Sequence, residues 1–232
     1  MHYGEVVRGT FLSRPNRFIA RVMLEEGEAV CHVKNTGRCR ELLVPGAPVY
    51  LEAAENPARK TRWDLIAVEK GELLINMDAQ APNKVFKEWA AAGRFLPGLT
   101  AIRPEFTWED SRFDFLLEDA QGKIFVEVKG VTLEEDGEVR FPDAPTERGV
   151  KHLRGLQRAA AQGHRAAAFF VVQMKGPVRF RPNDATHPAF GAALREAAGN
   201  GVNVYTYDCL VTPDSLTLDA PVPMDLSTWG AR

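Results

Sequence analysis

The sequence feature that most constrains the fold is residues 166–172, an apolar run without alternation that ends at Gln173. A strand exposed on one face alternates apolar and polar residues, whereas a strand covered on both faces reads as continuous apolar sequence. The run therefore predicts a central strand buried on both faces. Around it, helices are predicted at 84–92 (with Asn83 as N-cap), 147–161 (with Thr146 as N-cap) and 189–198, and strands at 103–108, 113–117, 124–129 and 202–207. This order predicts an α/β sandwich with a mixed sheet.

The first eighty residues have a different pattern, with short strands and turns and no long helix. Strands are predicted at 5–12, 18–24, 29–33, 49–52, 64–68 and 73–75, with a breaker at 14–16 and a short helix at 37–43. Five or six short strands in this length predict a small β-barrel of the OB type. A break at 81–83 divides the chain into two predicted domains, 1–82 and 83–232.

Composition excludes several other classes of protein. The chain has 232 residues, 45% apolar and 26% charged, which are values of a folded domain rather than a disordered or fibrous chain. No apolar run reaches the ~18 residues of a membrane span, and the N-terminus lacks the pattern of a signal peptide. Three cysteines argue against a disulfide framework. We therefore expect a soluble, cytoplasmic protein with no disulfide partner and no membrane association.

Charge is distributed unevenly along the chain. Residues 103–147 carry thirteen acidic and five basic residues, whereas residues 148–181 carry eight basic residues and no acidic one. An acidic segment between basic segments is typical of a metal site that acts on a polyanion, because carboxylates hold divalent cations and basic residues hold phosphates. The same distribution also arises by chance on protein surfaces.

The residues with catalytic chemistry are Asp114, Glu127 and Lys129. Alternation along a strand places Glu127 and Lys129 on one face, and a turn near residues 119–122 allows the preceding strand to bring Asp114 beside Glu127. Two carboxylates supply oxygen ligands for Mg²⁺ or Mn²⁺, and a nearby lysine can act on water or on a phosphate. This arrangement is required by nucleases of the PD-(D/E)XK type. The alternative is a half-exposed strand with solvated charges.

Three further residues are candidates for this site. Glu105 is favoured over Glu88 as a third carboxylate ligand. Gln173, at the end of the buried strand, can bind the metal's water or a phosphate, or it can be a satisfied amide at the edge of the core. His152 can assist proton transfer, although a single histidine on a helix is more often structural.

Basic residues in both halves are candidate contacts for nucleic acid. Lys151, Arg154 and Arg158 lie on one face of the predicted second helix, which is either a phosphate-binding face or a solvated one. The turn at 35–38 presents an arginine, and Phe18, Tyr50 and Trp63 are candidates for base stacking or for the barrel core. The full set of candidate nucleic-acid contacts is Arg14, Arg17, Asn35, Arg38, Arg59, Lys60, Arg112, Arg148, Lys151 and Arg154.

Several strings, in order along nearly the whole chain, resemble the sugar fermentation stimulation protein A family. They comprise 9–11 and 14–18, His32 with 35–38, 41–43 with 45–46, 59–60, 111–115, 126–133 and 141–153. The resemblance implies an OB-like DNA-binding domain followed by a PD-(D/E)XK nuclease-like domain, with Asp114 and Glu127 as metal ligands and Lys129 as the catalytic lysine. It also implies a bacterial or archaeal protein linked by its family name to sugar (maltose) utilisation.

Three functions are compatible with these observations. The first is a Mg²⁺- or Mn²⁺-dependent DNA nuclease, and the second is a non-catalytic DNA-binding regulator that keeps the nuclease fold. The third, a sugar-binding or sugar-converting enzyme, would need aromatic platforms and carboxylates across a cleft. DNA is the expected partner of the first two. A homodimer would suit cleavage of both strands, but no sequence feature indicates one.

Overall fold

The computed structural model describes residues 1–35, 37–56 and 58–228. Its N-terminal part is a closed barrel of five strands with a sixth strand alongside β5. Strand β1 pairs antiparallel with β2 and β4, and the parallel pairing of β3 with β5 closes the barrel. The predicted OB barrel is confirmed. The strands are β1 (Val6–Asn16), β2 (Ile19–Leu24), β3 (Gly27–Val33), β4 (Pro48–Ala53), β5 (Trp63–Lys70) and β6 (Leu73–Asn76).

The C-terminal part is a mixed six-stranded sheet in the order β15-β14-β12-β9-β8-β7, beside a small sheet β10-β11-β13. Strand β12 runs parallel to both neighbours, and the outer strands pair antiparallel. Helix α1 packs on one face of the sheet, and α2 and α3 on the other. The elements are α1 (Ala81–Ala91), β7 (Ala101–Trp108), β8 (Ser111–Asp119), β9 (Gly122–Val131), β10 (Leu133–Glu135), β11 (Glu138–Phe141), α2 (Glu147–Ala161), β12 (Arg165–Val172), β13 (Arg179–Pro182), α3 (Pro188–Gly199), β14 (Val202–Thr212) and β15 (Ser215–Pro221).

Strand β12 is buried on both faces, as its sequence predicts. Phe169 packs into the cluster beneath α1, with its ring centroid 4.8 Å from that of Phe86. Phe170, the next residue, packs into the cluster beneath α2 and α3. The alternation of a strand sends consecutive side chains to opposite faces, so an apolar residue is needed at every position. No helix among the described residues is both long and apolar enough to cross a membrane.

Helix α2 begins and ends where the sequence predicts. The Thr146 hydroxyl accepts a hydrogen bond from the Gly149 N–H at 3.0 Å, which satisfies one of the free amides of the first turn. Glu147 adds a favourable negative charge at the same end. Val150, Leu153 and Leu156 are buried on one side. This helix therefore has the predicted N-cap residue and an apolar face, so signals from neighbouring residues suffice to predict it.

Other predicted boundaries are wrong. Helix α1 begins at Ala81, because Pro82 fits the first helical turn, and Asn83 lies inside the helix rather than at its cap. The described residues of 37–43 form turns instead of a helix, since Cys39 adopts a left-handed conformation with φ of 44°. Strand β1 continues through the predicted breaker with irregular register. The domain boundary after residue 82 stays a prediction.

The sequence reading also missed β10, β11, β13 and β15. Three of these strands have only three or four residues, too few to show a period. They form because β11 pairs with both β10 and β13, which are distant from each other in the chain.

The barrel and the mixed sheet are joined by hydrogen bonds around Gln173. The Gln173 side chain donates to Asn76 Oδ1 at 2.8 Å and to the Asp78 carbonyl at 3.0 Å. The Gln173 carbonyl in turn accepts from the Asn76 N–H at 2.9 Å. All of these groups are buried, so each bond replaces one that water would otherwise make. The end of the central strand is thereby attached to the last strand of the barrel.

We predict that Gly130→Ala destabilises this junction. A Cβ at Gly130 would lie 2.3 Å from Gln173 Oε1 and 2.7 Å from Pro82 Cγ, so the junction would have to shift. The expected loss in the free energy of unfolding is about 1–3 kcal/mol, measured by urea denaturation. Gly199→Ala is the control, because no described atom lies within 4 Å of that Cβ and alanine favours the helix. Equal stability of the two variants would contradict the prediction.

A second link between the two parts is an ion pair. Lys70, at the end of β5, donates to Glu134 Oε2 and to the Glu134 carbonyl at 2.6 and 2.5 Å. Burial raises the pKa of Glu134, but hydrogen bonds from Lys70 and from the Gly137 N–H outweigh it and hold the pKa below its usual 4.5. A carboxyl with a lowered pKa stabilises the fold above its unfolded pKa, and this contribution is lost as the pH falls through the folded value.

We therefore expect Glu134→Gln to be less stable than wild type at pH 7, by about 1–2 kcal/mol. The difference should shrink below the usual glutamate pKa, because acid protonates Glu134 in the wild type as well. Urea unfolding between pH 3 and pH 8 measures it. Glu72→Gln, at an exposed position in the turn between β5 and β6, should match wild type throughout. A difference for Glu134→Gln that is independent of pH would contradict the assignment.

Candidate functional site

Asp114 is placed where β8 separates from β9. The two strands pair antiparallel from the turn at 119–122 as far as Phe115 opposite Val126. Beyond that pair, Asp114 Oδ2 accepts a hydrogen bond from the Val128 N–H at 2.8 Å. Its Oδ1 accepts from the Asn83 side chain at 3.0 Å. The carboxylate thus accepts a backbone hydrogen bond at the point where the pairing of β8 with β9 ends, and the Asn83 side chain holds it from a second side.

Glu127 lies on the face of β9 that is covered by α2, and it is only 2% exposed. Its Oε1 is bound by Lys129 Nζ and by His152 Nδ1. The second oxygen, Oε2, is buried and has no hydrogen-bond partner among the described residues. A buried carboxylate oxygen without a donor is costly, and a bound cation would compensate it.

The two carboxyl groups have opposite pKa shifts. Burial raises the pKa of Asp114, and the negative charge of Glu127 raises it further. Burial acts in the same direction on Glu127, but its hydrogen bond with His152 and the positive charge of Lys129 outweigh it and lower the pKa. Glu127 is therefore the more readily ionised of the pair, and an added cation would favour ionisation of both.

His152 is the residue that sequence reasoning undervalued. The Arg148 Nε–H donates to His152 Nε2 at 3.4 Å, so the hydrogen-bond pattern assigns Nε2 as the acceptor and Nδ1–H as the donor to Glu127. His152 is only 5% exposed and positions Glu127. The sequence contained a signal for this role, because residues 148–152 form one helical turn within residues 141–153, one of the segments that resemble the family. Without a structure, nothing linked that turn to β9.

The acidic side chains of the site are suited to a divalent cation, but they supply few ligands. Asp114 and Glu127 supply hard oxygen donors, and Glu127 Oε2 lacks a partner among the described residues. Within the described ranges no group of three or more His, Cys, Asp and Glu side chains is arranged to hold a metal. Glu105 is 70% exposed, has a φ of 55° and pairs with Arg112 at 2.5 Å. Glu88 binds the N-terminal amine at 2.7 Å. The structure brings neither to the pair as a third carboxylate.

Gln173 is directed towards the barrel, where its amide nitrogen has the two partners described above. It also lines a cavity of about 150 Å³ at the junction, next to Gly130. Its position agrees with the satisfied amide at the core edge, and its predicted contact with water or phosphate stays a prediction.

On the barrel, Arg14 is occupied by the protein itself. Its two terminal nitrogens donate to the carbonyls of Gly37, Arg38, Arg17 and Asn35 at 2.8–3.0 Å. Arg14 therefore holds together the β1–β2 turn and the loop after β3. Asn35 supports the same loop by donating to the Met77 carbonyl at 3.0 Å. Thr36, part of the predicted turn, lies outside the described residues.

The other candidate basic residues differ in how far they are neutralised. Arg59 makes a two-pronged pair with Asp64, at 2.6 and 2.9 Å, and Arg112 pairs with Glu105. Lys151 Nζ lies 3.4 Å from Asp110 Oδ2, and Arg158 Nε lies 3.1 Å from Glu109 Oε2. The candidates whose side chains are exposed and make no ion pair within the described ranges are Arg17, Arg38, Lys60, Arg148 and Arg154.

These features define a class of protein: an OB barrel joined to a mixed α/β sheet that carries two interacting carboxylates on neighbouring strands, where their pairing ends. The chain belongs to the sugar fermentation stimulation protein family. The family model described as "Sugar fermentation stimulation protein RE domain" matches residues 80–215, and the one described as "SfsA N-terminal OB domain" matches residues 12–77.

Similar proteins agree with this assignment. A sugar fermentation stimulation protein homolog of Desulfitobacterium hafniense is 57% identical over 216 residues, covering 93% of this chain and 94% of that protein. A homolog of Clostridium beijerinckii is 53% identical over 218 residues, covering 94% and 96%. The structure of Pyrococcus furiosus SfsA in complex with Ca²⁺ superposes with a TM-score of 0.88 at 27% identity, covering 97% of this chain and 98% of that one.

We predict that Arg14→Ala lowers the free energy of unfolding by about 1–3 kcal/mol, because four carbonyls lose a charged donor. Thermal or urea unfolding measures it. Arg21→Ala is the matched control on the next strand, where Arg21 makes only an exposed pair with Glu28 at 3.2 Å. That variant should change stability by less than about 1 kcal/mol. An Arg14→Ala protein as stable as Arg21→Ala would mean that the two loops hold their conformation without this side chain.

Proposed function

We propose that this protein binds DNA and hydrolyses its phosphodiester bonds with a bound Mg²⁺ or Mn²⁺ ion. The observation that carries the proposal is the placement of Asp114 and Glu127 on neighbouring strands where β8 and β9 separate, with Lys129 beside Glu127. A protein that only bound DNA would have no need to bury a carboxylate with an unpartnered oxygen. The relative from Pyrococcus furiosus was solved with Ca²⁺, which supports a divalent-cation site here.

In this proposal Asp114 and Glu127 would hold the cation through their carboxylate oxygens. A bound Mg²⁺ or Mn²⁺ would act as a Lewis acid towards phosphate oxygen and lower the pKa of a bound water. His152 keeps Glu127 oriented through its Nδ1–H. Lys129 has a partly exposed side chain, so its ammonium can donate both to Glu127 and to a phosphate oxygen.

DNA binding is assigned to the barrel and to the exposed face of α2. Arg148 and Arg154 project from α2, the helix that also carries His152. Arg148 donates to His152, which binds Glu127, so phosphates bound by Arg148 would lie near the carboxylate site. Because such contacts release counterions, binding should weaken steeply as the salt concentration rises.

The test is cleavage of labelled DNA in Mg²⁺ or Mn²⁺ by wild type and by Asp114→Asn, Glu127→Gln and Lys129→Met. We expect each variant to lose about 100-fold or more in rate, because each removes a charge that acts on the reacting phosphate. Lys123→Met, at the exposed far end of β9, is the control and should cleave like wild type. Wild-type activity in Asp114→Asn would overturn the assignment of the site.

Stability separates a catalytic defect from misfolding in this series. Burial and the charge of Glu127 raise the pKa of Asp114, so the ionised carboxylate opposes folding at neutral pH. Asp114→Asn removes this charge, but its one amide oxygen can accept from only one of the Val128 N–H and the Asn83 side chain. These effects oppose each other, so urea unfolding without metal should differ from wild type by less than about 3 kcal/mol. Calorimetric titration with Mn²⁺ should show binding to wild type and none to this variant.

One observation favours a second function, a DNA-binding regulator without catalysis. Lys129 and His152 both contact the same oxygen of Glu127, and within the described ranges no third acidic ligand joins the pair. A site neutralised in this way can be purely structural. DNA binding by wild type that persists while no DNA substrate is cleaved in either metal would favour this function over the nuclease.

A further inference from the structure

The barrel carries a cavity of about 350 Å³ whose charged lining is entirely arginine. Its lining includes Arg14, Arg17, Arg38 and Arg40, together with Cys39 and Gly37. We infer that this arginine cavity, with the neighbouring Phe18 ring, binds a single strand of DNA on the barrel. The inference rests on the proposed function and names its substrate as unpaired DNA.

The arginines of the cavity have two different roles. Arg14 donates hydrogen bonds to four carbonyls and forms part of the cavity wall. Arg17, Arg38 and Arg40 are exposed, and their guanidinium groups make no ion pair with the described residues. Elsewhere on the barrel, Arg8 pairs with Glu69 and Arg59 with Asp64. Unneutralised guanidinium groups around a concave surface are suited to a phosphate, which they can bind with two parallel hydrogen bonds.

Phe18 supplies the contact that distinguishes a single strand from a duplex. Its side chain is exposed, and the Arg17 guanidinium lies over its ring at 4.7 Å from the centroid. Its backbone is held rigidly, since the Phe18 N–H donates to Asn16 Oδ1 at 2.9 Å and its carbonyl accepts from Val33. An exposed ring on a hydrogen-bonded backbone, beside a cation, is a stacking platform for an unpaired base. The bases of a duplex are stacked on each other and cannot reach it.

Gly37 lies where this cavity meets the junction between barrel and sheet. It lines both the arginine cavity and the smaller cavity at the junction, which Gly130 and Gln173 also line. Gly130 directly follows Lys129, so the second cavity reaches the strand that carries the candidate site. Gly37 and Asp143 are in close contact between the two cavities, since a Cβ at Gly37 would lie 2.2 Å from Asp143 Oδ2 and the Arg38 N–H donates to that oxygen at 3.0 Å. A strand bound by Arg38 and Arg40 would therefore lie on the barrel side of this contact, next to the junction.

The experiment measures binding in EDTA, where no cleavage occurs, by fluorescence anisotropy of a labelled oligonucleotide alone and annealed to its complement. Wild type should bind the single strand about tenfold or more tightly than the duplex. Phe18→Ala should remove that preference, because base stacking on an aromatic ring contributes about tenfold or more in affinity. Arg38→Ala with Arg40→Ala should weaken single-strand binding and reduce its salt dependence. Arg8→Ala, an exposed arginine outside the cavity, should bind like wild type.

Equal or tighter binding of the duplex would overturn the inference, as would single-strand binding that Phe18→Ala leaves unchanged. These results are distinct from a failure of the proposed nuclease. Cleavage of duplex DNA without any single-strand preference would leave the nuclease standing and remove this inference. A single-strand preference that depends on Phe18, in a protein that cleaves nothing, would support the inference and remove the nuclease. Absence of binding to either DNA would overturn both.

Discussion

The organisation of the site depends on the burial of one negative charge, that of Glu127. A carboxylate removed from water is strongly destabilising unless charged or hydrogen-bonding groups compensate it. Here β9 supplies Lys129 from the same strand face, and α2 supplies His152 from above. The compensation is incomplete, since Oε2 has no partner among the described residues. The same burial that constrains α2 relative to the sheet therefore leaves one oxygen without compensation from the described residues.

The barrel is attached to the mixed sheet by hydrogen bonds that likewise compensate buried polar groups. Gln173 follows the central strand and donates to Asn76 Oδ1 and to the Asp78 carbonyl, two buried acceptors that an apolar side chain would leave without these hydrogen bonds. Close approach at Gly130 then allows Pro82 and Gln173 to meet beside β9. Because Gly130 follows Lys129, the junction and the candidate site share one stretch of strand. The position of the barrel relative to the carboxylates is thus determined by the residues next to the site.

Local net charge alone does not show which basic residues are available to a ligand. Residues 148–181 contain eight basic residues and no acidic one, yet Arg158 and Arg165 are paired with carboxylates from strands β7 to β9 or the turns beside them. On the barrel, Arg14 is taken up by backbone carbonyls, while Arg38 and Arg40 are exposed beside it. The positive charge that is available to a ligand therefore depends on which guanidinium groups the fold engages in ion pairs or hydrogen bonds.

The sequence by itself determined the elements whose signals are local. Thr146 and the apolar spacing of Val150, Leu153 and Leu156 define α2, the uninterrupted run in β12 defines the buried strand, and alternation places Glu127 and Lys129 on one face. These signals depend on residues a few positions apart, so they can be read along the chain. Only the tertiary structure decided that His152 binds Glu127, that Asn83 binds Asp114, and that Glu105 pairs with Arg112 instead of joining the carboxylates. The contacts of His152, Asn83 and Gln173 join residues 25 to 97 positions apart, and the packing of helices on the sheet and of barrel against sheet selects them.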